Sequence, residues 1–156
     1  MSLIPDKNQL DFLDWEFGVF FHFGIRSFNP GRRDWDGVEM PPETFAPDAL
    51  DCEQWIRTIK EAGATYAIMT AKHHDGFCIW DSAYTTYKSS QSSYGEYDYD
   101  GMGGDVLAEI SAACTKYDLD MGLYLSPWDI HDPAYGYYTA DGYGGNAASD
   151  AIDYND

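Results

Sequence analysis

Three short apolar runs divide this chain and predict its strands. Residues 17–24, 64–69 and 119–126 are rich in apolar side chains and are bounded by glycines or turn residues. Runs of this kind are typical of strands that are buried on both faces of a sheet. The sequence therefore predicts three strands, each followed by a longer connection.

Two amphipathic stretches lie between these runs and predict helices. In residues 51–62 a set of apolar side chains falls on one helical face, namely Trp55, Ile56, Ile59 and Ala62. Asp51 and Gln54 resemble a capping box at the start of this helix, and Gly63 suits its end. Residues 105–117 repeat the pattern, with Asp105 as the predicted N-cap. Because strands alternate with helices, we predict an α/β fold with a parallel sheet and right-handed crossovers.

Polar and aromatic side chains gather after each predicted strand. The first strand is followed by His22 and Trp35, the second by His73 and His74, and the third carries Tyr124 and Trp128. This is the layout of a (β/α)8 TIM-type barrel, whose site lies at the C-terminal ends of its strands. A doubly wound sheet would bind ligands at the same ends. However, no glycine-rich phosphate turn joins the first strand to a helix.

The length of the chain limits how much of a barrel it can form. A complete TIM-type barrel takes about 250 residues, whereas this chain has 156. We therefore expect residues 1–156 to be the N-terminal portion of one barrel domain, with about the first three strands and two helices, and the remainder to lie outside the chain. Residues 82–104 and 133–156 lack periodicity and are predicted to be loops.

Charge and hydropathy exclude several classes of function. The formal net charge of −18 repels phosphate backbones, so nucleic acid is not an expected partner. No apolar run reaches about 18 residues, so we expect no membrane-spanning helix. The start of the chain has no signal-peptide core; a removed signal would conceal a secreted or periplasmic protein, so the compartment stays open. The three cysteines lack zinc spacing and are predicted to be buried free thiols, with one disulfide between two of them as the alternative.

The turn after the second strand carries the clearest chemical signal. The segment Thr70-Ala71-Lys72-His73-His74-Asp75-Gly76-Phe77 places two imidazoles side by side. An imidazole both donates and accepts hydrogen bonds near neutral pH, which suits a polar ligand. Aromatic residues make up 17% of the chain and could supply faces for sugar rings. An alternative is a metal-dependent enzyme that uses His22, His73, His74 and Asp75; our own expectation is no metal and no cofactor.

Five blocks of the chain together resemble the α-L-fucosidases of glycoside hydrolase family 29. The blocks are Phe17-Gly18-Val19-Phe20-Phe21-His22-Phe23-Gly24, Asp34-Trp35, Glu61-Ala62-Gly63-Ala64, the segment Thr70 to Phe77, and Gly122-Leu123-Tyr124-Leu125-Ser126-Pro127-Trp128-Asp129. They occur in the order expected for the family, and the block from Lys72 to Phe77 is the most specific. The ending from Leu125 to Asp129, with His131 after it, is most similar to the branch that acts on α-1,3/1,4-linked fucose.

The resemblance implies both a fold and an activity. It implies a (β/α)8 catalytic barrel and retaining hydrolysis of α-L-fucosides through a covalent fucosyl-enzyme, so the partners would be fucosylated glycans or oligosaccharides. It also implies that fucose is bound by seven side chains, namely His22, Asp34, Trp35, His73, His74, Tyr124 and Trp128. The residue types agree with this assignment, because fucose presents hydroxyls and a methyl group to imidazoles and an aromatic wall.

The catalytic carboxyl groups of that family are not recognisable in this chain. The family's nucleophile is an Asp in a Trp-Phe-Asp-Gly-like block after the fourth strand, and its acid/base follows later. Neither block occurs in the sequence; Trp35-Asp36-Gly37 imitates the first but follows the first strand. We therefore expect the nucleophile and the acid/base to lie beyond Asp156. Because retaining hydrolysis needs two carboxyl groups about 5 Å apart, we expect this chain alone to be inactive.

A second interpretation of the same residues comes from another class of protein. In it the chain is a non-catalytic module that binds fucose with the same histidines and hydrolyses nothing.

Overall fold

The computed structural model describes residues 4–31, 39–96, 103–132, 137–139 and 142–144. Within them, helices and strands alternate along the chain. The elements are α1 (Lys7–Asp14), β1 (Gly18–Phe21), α2 (Cys52–Glu61), β2 (Tyr66–Lys72), α3 (Val106–Tyr117), β3 (Asp120–Leu125), β4 (Tyr137–Thr139) and β5 (Gly142–Gly144). Short 3₁₀ turns lie at Ile25–Phe28, Pro42–Thr44, Ser89–Gln91 and Ser93–Glu96.

The main sheet contains β1, β2 and β3 in that order, and all three strands are parallel. The central strand β2 places Tyr66 opposite Gly18 on one side and opposite Asp120 on the other. All three strands therefore start at the same side of the sheet and end at the opposite side. We call the side where the strands end the C-terminal edge of the sheet. This arrangement agrees with the predicted parallel α/β order, in which helices connect consecutive strands.

Helix α2 begins and ends where the sequence predicts. The Asp51 carboxylate accepts the backbone N–H of Gln54 at 2.7 Å, and Gly63 adopts a left-handed φ of +93° just after the helix. The expected capping box is wrong, because the Gln54 side chain donates to the Thr58 hydroxyl at 3.2 Å instead. Of the predicted apolar face, Ile56 is buried, as is Ile59, whereas Ala62 is exposed.

Helix α3 is capped by Asp105, whose carboxylate accepts the N–H of Ala108 at 2.8 Å. Its buried residues are Val106, Ile110, Ala113 and Cys114. An exposed ion pair joins it to α2, with 2.6 Å between the Lys116 ammonium and a Glu53 carboxylate oxygen. The two helices thus pack side by side, and they cover one face of the sheet.

The core lies between this face and the two helices, and aromatic rings extend it beyond the strand ends. Phe21 of β1 stacks on Trp55 of α2 with ring centroids 5.4 Å apart. Phe45 comes from the connection after β1 and is fully buried. Its ring lies 5.6 Å from that of Phe23 and 5.1 Å from that of Phe77. The connections after β1 and β2 are therefore packed against each other and hold the C-terminal edge of the sheet.

Helix α1 precedes the first strand, and the prediction of only two helices was wrong. The signal in the sequence was a reciprocal capping box, in which the N–H of Gln9 donates to Asp6 and the N–H of Asp6 donates to the Gln9 side chain, both at 2.9 Å. The helix lies at the N-terminal edge of the sheet, where the rings of Trp15 and Tyr66 are 5.3 Å apart. It is therefore remote from the predicted site.

Two segments predicted to be loops contain described residues that form regular or buried structure. In the segment 82–104, Tyr87, Ser89, Ser92 and Tyr94 are all buried. The Ser92 hydroxyl donates to the carbonyl of Ser89 at 2.5 Å and accepts the N–H of Tyr94 at 3.1 Å, so local hydrogen bonds help this polar run to be buried. In the segment 133–156, β4 and β5 pair as an antiparallel ribbon; the rest of that segment, including its last residue Asp156, lies outside the described residues.

The cysteines Cys52, Cys78 and Cys114 are free and buried, as predicted. Burial raises the pKa of the Cys78 thiol to about 12, from an ordinary value of 9.0. Among the described residues, no helix is long and apolar enough to cross a membrane.

Candidate functional site

Five rings lie together at the C-terminal edge of the sheet. We call them the ring cluster; its members are His22, His73, His74, Tyr124 and Trp128. The ring of His73 is central, with its centroid 5.3 Å from that of His22, 4.2 Å from that of His74 and 5.4 Å from that of Tyr124. The Trp128 ring belongs to the cluster through its contact with His74, whose ring centroid is 4.7 Å away. Residues from the ends of all three strands therefore share one surface.

The parallel register explains why these distant residues meet. His22 follows β1 directly, His73 and His74 follow β2, and Tyr124 lies in β3 opposite Thr70. Thr70 also holds the chain beyond β1, because its hydroxyl accepts the N–H of Phe23 at 3.1 Å. Since the carboxyl ends of parallel strands lie at one edge, three separate sequence segments reach the same place.

The ring cluster is accessible. His22 is exposed, and His73, His74, Tyr124 and Trp128 are half-buried. Tyr124 stacks on His73 with an interplanar angle of 28°, and Phe20 stacks on His22 at 21°. The aromatic faces therefore orient the imidazoles and leave part of each ring for a ligand. Imidazole edges beside aromatic faces can bind a molecule that has both hydroxyls and an apolar side.

A largely buried ion pair joins the turn that carries His73 and His74 to the loop after β3. The Lys72 ammonium lies 2.7 Å from a carboxylate oxygen of Asp129. The other carboxylate oxygen accepts the backbone N–H groups of His131 at 3.0 Å and Asp132 at 3.1 Å. The end of β2 is thereby joined to the loop after β3. Sequence reasoning placed Lys72 and Asp129 inside blocks of the family resemblance but did not predict that they pair with each other.

A second carboxylate organises the turn itself. Asp75 accepts the N–H of Phe77 at 2.9 Å and lies 3.6 Å from the guanidinium Nε of Arg26. Gly76 has a φ of +80°, and its N–H donates to the carbonyl of His73 at 3.0 Å. The turn is tight because Gly76 can adopt this left-handed conformation. Asp75 therefore has a structural role that the sequence could not assign.

Ser126 lies directly beneath the ring cluster and was also missed as a site residue. Its hydroxyl oxygen is 2.6 Å from Nδ1 of His74 and 2.7 Å from the carbonyl oxygen of Trp128. Its side chain is almost fully buried, at 1% exposure. Its signals in the sequence were its position at the end of the predicted third strand and its place in the block Gly122 to Asp129, and neither indicated a contact with His74.

Some predictions concern residues that the structure does not describe. Asp34 and Trp35, two of the predicted site residues, lie outside the described residues. So does Asp156, beyond which we expect the nucleophile and the acid/base, and that expectation stays a prediction.

The alternative of a metal site gains no support. In the part of the chain that the structure describes, no group of three or more His, Cys, Asp or Glu side chains could hold a metal ion. The fourth histidine, His131, is not a member of the ring cluster; its ring stacks on that of Tyr87, with centroids 4.2 Å apart.

Comparisons with known proteins agree with the geometry. The sequence profile of the family described as alpha-L-fucosidase matches residues 2–154. A putative alpha-L-fucosidase 1 of Oryza sativa subsp. japonica is 42% identical over 85% of this chain and 24% of its own length. Alpha-L-fucosidase 1 of Arabidopsis thaliana is 40% identical over 85% of this chain and 25% of its own length. The chain thus spans about a quarter of the length of these curated relatives.

Solved structures give the same answer. A fucosidase of glycoside hydrolase family 29 from Ruminococcus gnavus, in complex with fucose, is 44% identical, covers 98% of this chain and 30% of its own, and superposes with a TM-score of 0.78. A family 29 member from an unknown rumen bacterium is 40% identical over 86% of this chain and 23% of its own, with a TM-score of 0.75. Because the family profile, the relatives and these structures agree, this chain belongs to the alpha-L-fucosidase family, glycoside hydrolase family 29.

Proposed function

We propose that the protein hydrolyses α-L-fucosides and that this chain carries the fucose-binding side of its active site. The observation that carries the proposal is the ring cluster, in which imidazole and aromatic rings from three strand ends lie within 4.2 to 5.4 Å of the His73 ring. Membership of the family and the fucose-bound structure of the Ruminococcus gnavus relative support it.

The side chains that we propose to contact fucose follow from this chemistry. His22, His73 and His74 would bind sugar hydroxyls, because each imidazole offers one donor and one acceptor. Tyr124 and Trp128 would provide the aromatic wall for the apolar side of the sugar. Asp34 and Trp35 complete the proposed set on the strength of the family resemblance alone.

We also propose that residues 1–156 form the N-terminal portion of a (β/α)8 catalytic barrel. Apolar side chains on the sheet support this proposal: Phe20 is 43% exposed, Leu123 58% and Leu125 59%. Exposed apolar strand residues of this kind are normally covered by further elements. Additional strands and helices of a barrel would cover them, and the ring cluster already lies at the edge where barrel enzymes place their sites.

The reaction that we propose proceeds with retention and uses carboxyl groups that follow Asp156 in the full-length protein. Retaining hydrolysis needs a nucleophile and an acid/base about 5 Å apart. Asp75 and Asp129 lie near the ring cluster, but their carboxylates are engaged by Arg26 and Lys72 and by backbone N–H groups. Neither is placed to attack a sugar carbon, which favours a nucleophile and an acid/base elsewhere in the protein.

Hydrolysis of an aryl α-L-fucoside tests the activity. The full-length protein should release the aryl group, and proton NMR of the first product should show α-fucose, because retention preserves the anomeric configuration. The 156-residue chain alone should release none. An inverted first product would contradict the retaining mechanism, and turnover by the isolated chain would contradict the placement of the carboxyl groups.

Calorimetric titration with L-fucose tests the site. His73→Ala should weaken binding by at least about tenfold, since it removes the central ring and its hydrogen bonds. His131→Ala is the matched control: it removes the histidine that stacks on Tyr87 outside the ring cluster, and it should leave the affinity unchanged. An equal loss of fucose affinity in both variants would contradict the assignment of the ring cluster as the fucose site. Fucose binding without hydrolysis by the full-length protein would favour the sugar-binding module.

The preferred linkage is proposed from the block Leu125 to Asp129, which is similar to the branch that acts on α-1,3/1,4-linked fucose. Rates on oligosaccharides with α-1,3- or α-1,4-linked terminal fucose should exceed those on an α-1,2-linked analogue. The opposite order would remove the branch assignment and leave the fucosidase activity untouched.

A further inference from the structure

The hydroxyl of Ser126 is the part of that residue that reaches the ring cluster. Its backbone is held by the sheet, because the N–H of Ser126 donates to the carbonyl of Lys72 at 2.9 Å. The neighbouring loop is held independently, because the N–H of Ile130 donates to the carbonyl of His74 at 2.9 Å. Loss of the hydroxyl would therefore leave the backbone connections between the two strand ends in place.

The protons in this arrangement can be assigned from the two short distances. A backbone carbonyl can only accept, so the 2.7 Å contact with the Trp128 oxygen requires the single proton of the Ser126 hydroxyl. The hydroxyl oxygen is then the acceptor at 2.6 Å from Nδ1 of His74, so Nδ1 must carry a proton. In the neutral ring, Nε2 is consequently the unprotonated nitrogen.

We propose that Ser126 is a positioning residue that fixes His74 as the Nδ1–H tautomer, so that its Nε2 accepts a hydrogen bond from a fucose hydroxyl. At 1% exposure Ser126 cannot contact the sugar itself and acts only through His74. The same hydroxyl fixes the backbone of Trp128, whose ring lies 4.7 Å from that of His74. One buried hydroxyl thus sets the hydrogen-bonding direction of an imidazole and the place of the aromatic ring beside it.

The tautomer assignment stands on the structure alone, whereas the part that concerns fucose rests on the proposed function. Two readouts keep them separate. The first is the pair of imidazole nitrogen shifts of His74, measured by long-range proton–nitrogen NMR on full-length protein labelled with nitrogen-15 in histidine. His74→Gln removes the signals and so assigns them. We expect a protonated Nδ1 and an unprotonated Nε2 near neutral pH.

Ser126→Ala tests the cause of this preference. Histidine free in water favours the Nε2–H tautomer, so the His74 signals should shift towards that form, while those of His131 stay unchanged. Ser89→Ala is the matched control, because Ser89 is also fully buried. Loss of its hydroxyl should alter the tautomer of neither His74 nor His131. A wild-type His74 already in the Nε2–H form, or an unchanged tautomer in Ser126→Ala, would overturn the proposal.

The second readout is the affinity for fucose. Ser126→Ala should weaken it about five- to tenfold, the effect of losing one oriented hydrogen bond, and Ser89→Ala should not. If the tautomer changes but the affinity does not, while His73→Ala still weakens binding, the role of Ser126 towards the sugar is overturned and the site stands. If the wild-type protein binds no fucose, the proposed function fails, and the NMR result still decides the tautomer.

Discussion

The ammonium of Lys72 and the carboxylate of Asp129 form a largely buried ion pair with 2.7 Å between nitrogen and oxygen. Lys72 ends β2, and Asp129 belongs to the loop after β3, so the pair joins two strand ends that each carry members of the ring cluster. The Asp129 carboxylate also accepts two backbone N–H groups from the same loop. The pair therefore ties the loop that carries Trp128 to the strand end that carries His73 and His74.

Asp129→Asn should lower the free energy of unfolding by about 3 kcal/mol, because it leaves the Lys72 charge without its partner in a largely buried place. The side chains of Lys72 and Asp129 are only 13% and 12% exposed. Urea denaturation gives the measurement. Glu53→Gln is the matched control, since it breaks the exposed Lys116–Glu53 pair and should cost little by comparison. Similar losses in the two variants would contradict the special role of the buried pair.

Gly76→Ala should destabilise the protein more than Gly63→Ala. Both glycines have left-handed φ angles, of +80° and +93°, so both substitutions cost about 1–2 kcal/mol from backbone strain. A Cβ at Gly76 would in addition lie 2.3 Å from a carboxylate oxygen of Asp129, whereas one at Gly63 would meet nothing within 4 Å. The difference between the urea midpoints of Gly76→Ala and Gly63→Ala measures the destabilisation that the clash with Asp129 causes. Equal midpoints would show that the turn around Gly76 relaxes without loss of stability.

Tyr124→Ala should weaken fucose binding more than Tyr124→Phe does. The Tyr124 ring lies 5.4 Å from the His73 ring and 5.8 Å from that of Phe20, and only the alanine variant removes these contacts. An aromatic contact of this kind contributes about 1 kcal/mol, which corresponds to roughly a fivefold change in affinity. Tyr84→Ala is the control, because Tyr84 is 99% exposed. Equal loss in the two Tyr124 variants would assign the effect to the hydroxyl instead of the ring.

The buried thiols should make the protein less stable in alkaline solution. Burial raises the pKa of Cys78 from 9.0 to about 12, so the folded state keeps this proton when the unfolded chain has lost it. The stabilisation is complete below about pH 9 and is lost as the pH rises towards 12. Denaturation midpoints measured across this range should fall, and those of Cys78→Ala should fall less steeply. Parallel curves would contradict a contribution from this thiol.

Reaction with a thiol reagent in mildly alkaline buffer gives a second measurement of the same property. The folded protein should react slowly, because Cys52, Cys78 and Cys114 are buried and burial also raises the pKa values of Cys52 and Cys114. The protein in denaturant should react at all three cysteines of this chain. Fast labelling of the folded state would contradict the burial.

Much of the fold follows from local patterns in the sequence. Asp51 and Asp105 cap their helices, and Gly63 ends α2, because capping depends on residues a few positions apart. The apolar runs likewise predicted β1, β2 and β3 to within a few residues. Helix α1 was missed although it has the same kind of signal, a capping box between Asp6 and Gln9. Its eight residues include only three apolar ones, Leu10, Phe12 and Leu13, so the sequence shows no long amphipathic pattern there.

The sequence by itself determined the residues at each strand end, the histidine pair and the family. Only the tertiary structure decided that Ser126 reaches His74, that Asp129 neutralises Lys72, and that the segment around Tyr87 is buried. Capping and the alternation of apolar runs depend on residues close together in the chain, whereas these contacts join residues far apart, such as His74 and Ser126, which are 52 positions apart. The partners in such contacts can be identified only in the folded protein, where the parallel strands bring their carboxyl ends together.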